Sequence, residues 1–223
     1  MIVSPRPIST VSATAPPGSR CRFDLIVDWH PCNNANRGTR EMTTYIALLR
    51  GINVGGANIL PMKELVSVLE RMGLENVRTY IQSGNVVFQS TTTDADQLSQ
   101  AIRTAVGESH GLAPEVLVLS IDELHDATAA CPFTDGDPDP KTLHLSFLAS
   151  IPTDPDLDRL EVIRSPSERF RLAGSVFYLH APEGIGRSKL AANVERAIGV
   201  TMTARNWRTV TKLMSMAEEL AAP

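Results

Sequence analysis

The 223-residue sequence is poor in cysteine, with three in all. Two of them, Cys21 and Cys32, precede residue 42, so the rest of the chain keeps only Cys131. That excludes a disulfide within it and argues against a cysteine-based metal centre. Long apolar runs are also missing. None approaches the roughly 18 residues that a membrane-spanning helix needs, which excludes an integral membrane protein of that kind. No continuous apolar segment of about seven residues follows a basic start, so the expectation is a cytoplasmic protein rather than an exported one. An excess of positive charge is lacking as well: 21 Lys and Arg stand against 25 Asp and Glu. The five histidines are scattered, none with metal-ligand spacing, and no metal site is expected.

What is present changes character near Met42. Residues 1–41 are rich in Pro, Ser, Thr and Ala, with Pro5, Pro7, Pro16 and Pro17 close together. Such a composition buries little and reads as a disordered leader or as the product of too early a start codon. Removing the leader's five Arg and three acidic residues leaves 16 basic and 22 acidic side chains, a balance of −6. Non-specific nucleic-acid binding needs a basic surface, so that balance argues against it without excluding a local patch.

From residue 42 the pattern is regular. The apolar run Tyr45-Ile46-Ala47-Leu48-Leu49 predicts a strand buried on both faces. A glycine-rich loop follows, and Pro61 fits the first position of a helix that carries Met62, Leu65, Val66 and Leu69 at helical spacing. Strands are predicted over 77–81 and 86–89 around a Ser83-Gly84-Asn85 turn, then a helix over 94–106, a strand over 116–119 and a helix over 122–130. A Pro/Asp/Gly linker spans 132–140. The order then repeats: strand 143–148, helix 154–163, strands 170–172 and 176–179 around Gly174, helix 188–198, strand 200–203 and a closing helix 206–220. Gly84 and Gly174 lie 90 residues apart. The predicted fold class is therefore α+β: two tandem ferredoxin-like βαββαβ units, 42–131 and 141–223, with a C-terminal helix.

In such a unit successive elements alternate direction, which places distant loops at common ends. One end of the first unit gathers the loop after its first strand, with Arg50, Asn53, Gly55 and Gly56, and the hairpin bearing Gln82, Ser83 and Asn85. An end of the second unit gathers Arg187, Ser188 and Lys189 with Arg205, Asn206 and Trp207. These residues are the candidate ligand-binding set. Glycines before a helix let backbone N–H groups approach an anion, and arginines add charge. Each group also has a purely structural reading. Glycines supply positive φ, Gly and Asn make turns, Ser188 and Asn206 cap helices, and Trp207 anchors a core.

The string from Tyr45 to Gly56, YIALLRGINVGG, resembles the opening motif of the DUF1697 family of bacterial proteins of unknown function. The stretch 78–88, RTYIQSGNVVF, resembles its second motif. Gly186-Arg-Ser-Lys189 and the stretch 203–213 are similar to its last two. The resemblance covers residues 43 to the C-terminus. It implies a bacterial α+β protein of two related halves, and it supplies neither substrate nor catalytic residues.

The functional expectation is a binder of a small anionic or nucleotide-like ligand. No general base stands out, so whether the protein is an enzyme, its cofactor and its oligomeric state stay open. The alternatives are RNA or single-strand binding, for which strand residues Tyr45 and Phe88 would be the stacking aromatics although the full aromatic signature is absent, and a non-catalytic protein-interaction module.

Overall fold

The apolar run at Tyr45 is buried on both faces because the two faces of its strand meet different partners. In a strand, alternate side chains point to opposite sides. From Thr43–Arg50 (β1), Tyr45, Ala47 and Leu49 enter one hydrophobic cluster with Leu65, Leu69, Leu98 and Ile102. Ile46 and Leu48 enter another on the far side. The structure, a computed structural model, describes residues 42–222; the predicted leader, 1–41, lies outside the described residues.

The first half continues with Met62–Arg71 (α1), Glu75–Tyr80 (β2), Asn85–Ser90 (β3), Ala95–His110 (α2), Glu115–Ser120 (β4) and Ile121–Ala129 (α3). The second half comprises Leu143–Leu148 (β5), Leu157–Ile163 (α4), Arg169–Ala173 (β6), Val176–His180 (β7), Lys189–Ile198 (α5), Met202–Asn206 (β8) and Trp207–Ala221 (α6). Each half forms a four-stranded sheet in which every pairing is antiparallel, in the orders β2-β3-β1-β4 and β6-β7-β5-β8. The protein is thus a mixed α+β fold with two sheets of the same strand order. No helix among the described residues is long and apolar enough to cross a membrane.

One face of each sheet is covered by its own helices. Leu160 of α4 and Leu190, Val194 and Ile198 of α5 pack with Phe177 and Leu179 of β7. The other faces meet in a shared core: Ile46, Leu48 and Val87 from the first sheet and Leu143, Leu145, Phe147 and Tyr178 from the second. Leu124 and Ala127 of α3 join them, as does the stripe Val210, Leu213, Met214, Ala217 and Leu220 of α6, spaced for one helix face. Neither half owns this core. The Tyr178 hydroxyl of the second sheet donates to the Ala127 carbonyl of α3 at 2.9 Å. The Gln89 amide of β3 donates to the Leu220 carbonyl of α6 at 2.9 Å.

Some boundaries differ from the sequence reading. Helix α4 begins at Leu157 rather than near 154, because Pro155 precedes Asp156, whose carboxylate caps the helix by accepting from the Arg159 N–H at 3.0 Å. Strand β8 lies at 202–206 rather than 200–203. Gly199 ends α5 with φ +74°, and pairing with β5 then carries the strand through Arg205, opposite Leu145. Arg205 therefore belongs to a strand and does not open the last helix. Asn206 does cap that helix, accepting from the Thr209 N–H at 2.9 Å.

Burial, with a smaller contribution from the nearby Cys131, pushes the Tyr178 hydroxyl up to about 12. The folded state then holds this proton while the unfolded chain begins to lose it near 10, so this group's contribution to stability is expected to fall as pH rises from about 10 towards 12. Tyr178→Phe should lessen that fall. At neutral pH it should cost about 1 kcal/mol for the lost hydrogen bond. Urea unfolding of both proteins at pH 7 and pH 11 checks the pair of outcomes.

Candidate functional site

The loop after β1 is built on asparagine side chains that substitute for backbone partners. Asn53 sits at φ +53°, a region that Asn tolerates better than most residues. Its Nδ2 donates to the carbonyls of Leu60 (2.9 Å) and Gln82 (2.8 Å), and its Oδ1 accepts from the Leu60 N–H at 2.8 Å. Asn58 Nδ2 donates to the Gly51 carbonyl at 2.9 Å. Gly55 and Gly56, both at positive φ, form the exposed tip between Val54 and Ala57, closed by Ala57 N–H to the Val54 carbonyl at 3.0 Å. The predicted anion loop is thus an excursion pinned by the side-chain amides of Asn53 and Asn58 and by the N–H groups of Asn53, Ala57 and Leu60.

The hairpin after β2 closes against the end of β1. The Leu49 N–H donates to the Gly84 carbonyl at 2.8 Å. A Cβ at Gly84 would stand 2.7 Å from Leu49 Cβ, and φ there is +69°, so glycine is required. Asn85 is fully buried. Its Nδ2 donates to the Tyr80 carbonyl (3.1 Å) and Ser83 Oγ (2.9 Å), and its Oδ1 accepts from Arg205 Nε at 2.5 Å. Arg205 Nη2 donates to the carbonyls of Leu49 (2.9 Å) and Ser83 (3.1 Å), and Nη1 to its neighbour Ala204 (2.9 Å). No described carboxylate pairs with Arg205, and burial lowers its pKa to about 10. One residue beyond Leu49, Arg50 makes a two-pronged ion pair with Glu195 of α5, both contacts at 2.7 Å. The hydrogen bond and charge of Glu195 raise the Arg50 pKa against the opposing effect of burial.

The sequence reading grouped Arg205 with Arg187, Ser188 and Lys189. The structure brings Arg205 instead to Ser83 and Asn85, because β8 turns that side chain towards the first half. Arg50 leaves the loop glycines for Glu195. Gln82 is exposed and contributes its carbonyl, while Trp207 is half-buried against the shared core. Tyr45 and Phe88, the stacking candidates, are 3% and 0% exposed and pack on each other with centroids 5.9 Å apart.

Arg187, Ser188 and Lys189 lie elsewhere, on a pocket of about 310 Å³ in the second half. The turn joining α4 to β6 supplies Arg164, Ser165, Ser167 and Glu168, and the loop from β7 to α5 supplies Glu183 and Gly184. Ser188 Oγ caps α5, accepting from the Ala191 N–H at 2.9 Å. Arg164 is committed: Nε donates to Glu161 at 2.6 Å and Nη1 to the carbonyls of Ser165 and Glu168 at 3.4 and 3.2 Å. Arg187 and Lys189 are exposed, and neither has a carboxylate partner among the described residues. Sequence reasoning missed Arg164, Ser165, Ser167, Glu168 and Glu183. The signal was available: in a βαββαβ unit the first helix-to-strand turn lies at the same end as the loop before the second helix.

The corresponding end of the first half also has a pocket, of about 450 Å³, between the α1-to-β2 and β3-to-α2 connections. Its lining, which includes Gly73, Ser90, Thr91, Thr92 and Gln97, carries no ionisable side chain. Among the described residues no group of three or more His, Cys, Asp or Glu is placed to hold a metal.

Comparison with known proteins gives a family and a likeness of fold. The family described as "Protein of unknown function (DUF1697)" matches residues 42–178. The structure of conserved bacterial protein SP0830 from Streptococcus pneumoniae is similar to this chain with a TM-score of 0.58 and 24% identity, covering 79% of this chain and 99% of that one. At that identity the likeness concerns the fold alone. No curated protein matches the chain.

Arg205→Ala would strand Asn85 Oδ1 and two carbonyls at the junction of the halves. The expected loss is roughly 2–4 kcal/mol in urea unfolding, since stranded buried acceptors cost about 1–3 kcal/mol each. Arg205→Lys should recover only a part, because an ammonium lacks the guanidinium's planar fork. Arg50→Ala should cost under about 1 kcal/mol, as exposed ion pairs do. An Arg205→Ala protein as stable as the parent would refute the pinning role.

Proposed function

The chain belongs to the DUF1697 family, whose description assigns no activity, and from its own geometry we propose that it binds a small anion-bearing ligand in the pocket at the start of α5. We read its halves, 42–131 and 141–223, as two ferredoxin-like units; the matching strand orders support that reading. The observation that carries the functional proposal is the pair of unpartnered cations, Arg187 and Lys189, lining a concave site at a helix start.

Helix N-termini carry a partial positive charge and favour acidic neighbours. Helix α2 follows that rule, with Asp94 as its cap and Asp96 in its first turn. Helix α5 does the opposite: a neutral Ser188 cap, no acid in the first turn, and cations on either side of the cap. The local field is left for a ligand to neutralise. The corresponding pocket of the first half, with no ionisable lining, supports the same reading, because the fold does not demand charge at that place. The volume is at the low end of the roughly 300–1,000 Å³ of small-molecule pockets, which suits a single metabolite rather than a polymer. The burial of Tyr45 and Phe88 leaves the nucleic-acid alternative without its stacking residues.

A thermal-shift series on the full chain with inorganic phosphate and pyrophosphate tests the proposal. Near a hundredfold excess over the dissociation constant, a stabilisation of about 2.7 kcal/mol is expected, on the order of 5–10 °C for a body of this size. Arg187→Ala and Lys189→Ala should each remove more than half of it, and Arg50→Ala should leave it intact. A flat series, or a shift indifferent to both pocket variants, overturns the proposal.

A further inference from the structure

We infer that the ligand of the α5 pocket is a phosphorylated polyhydroxy compound, a sugar phosphate by chemical class; this rests on the anion-binding reading above. The cations account for only one part of the lining. The remaining polar groups are hydroxyls and carboxylates joined in a chain: Ser165 Oγ lies 3.1 Å from Ser167 Oγ, which donates to Glu183 Oε1 at 2.9 Å. Beside them Glu168 is 5% exposed. Its Oε2 accepts from the Ser165 N–H at 2.8 Å, and no described group donates to its Oε1. That oxygen is not sealed from solvent, and Glu168 lines the pocket, so a donor on a ligand can take the place of water there.

A bare anion answers only one part of that lining. Arg187 and Lys189 attract it, but Glu168 and Glu183 repel it, and Arg164 already answers Glu161. The site is bipolar rather than basic. A ligand satisfies both parts when it carries an anionic group for the α5 start and neighbouring donors for the carboxylates. Hydroxyl groups suit the donor role better than an ammonium does. A hydroxyl both donates and accepts, so it can join the Ser165–Ser167–Glu183 chain at either end, whereas an ammonium only donates and would be held by the carboxylates alone.

The test measures dissociation constants by isothermal calorimetry for the full chain with ribose 5-phosphate, inorganic phosphate, ribose and glutamate. Ribose 5-phosphate should bind at least about tenfold tighter than phosphate, the worth of one hydrogen bond to a charged group. Ribose and glutamate should bind more weakly than either. Ser167→Ala and Glu183→Gln, both at exposed positions, should bring ribose 5-phosphate towards the phosphate value; phosphate binding should be unchanged in the first and no weaker in the second, which removes a repelling charge. Arg187→Ala should weaken both. Equal affinities for phosphate and ribose 5-phosphate, a preference for glutamate, or a sugar-phosphate advantage that survives both wall variants overturns this inference while anion binding stands. No binding by any anion removes the underlying reading as well.

Discussion

The Arg205 guanidinium reaches from the edge strand of the second sheet to the hairpin of the first and is held there by oxygens that carry no formal charge. A buried cation without a counter-ion is costly, and the lowered pKa is the expression of that cost. It is tolerated because three acceptors of the first half, the Asn85 amide oxygen and the carbonyls of Leu49 and Ser83, are themselves unsatisfied without it. Each side solves the other's problem. The contact fixes β8 against the end of β1, and the Arg50–Glu195 pair then follows one residue further along the same strand. With the edges so placed, the inward faces of both sheets close over α3 and α6 into one core. The two halves repeat an order of elements, but the protein is stabilised as a single body.

The elements themselves were readable because hydrophobic periodicity is local. Strand β5 was expected at the bounds it has, and the closing helix was expected over 206–220, within a residue of α6, with no knowledge of what it packs on. Boundaries failed where a distant partner decides them. Nothing within 200–206 says that β8 pairs through Arg205; the register with Leu145 does. The candidate site divides along the same line. Gln82, Ser83, Asn85, Asn53 and Arg205 are small polar residues and a cation near glycines, a composition that suits both a ligand loop and a network closed within the chain. What separates the two is whether each donor already has an acceptor. For Arg205 the acceptors in the first half lie 120 to 156 residues away in sequence, beyond any spacing argument. Arg187 and Lys189 are distinguished by the converse, having no such partners among the described residues.

That contrast bears on why function would reside in the second half. The duplicated topology offers the same kind of end twice, with a concavity between a helix-to-strand turn and the start of the second helix. In the first half this place is lined by neutral groups, and its helix start is quenched by its own Asp94 and Asp96. In the second half the helix cap is neutral, cations flank it, and two glutamates lie nearby without pairing to them. Unpaired charges of opposite sign held near one another gain nothing for stability; had they served the fold alone, their closing into ion pairs would cost only side-chain entropy. Their separation across an open volume is the arrangement expected when a third body, carrying both an anionic group and hydrogen-bond donors, completes the set.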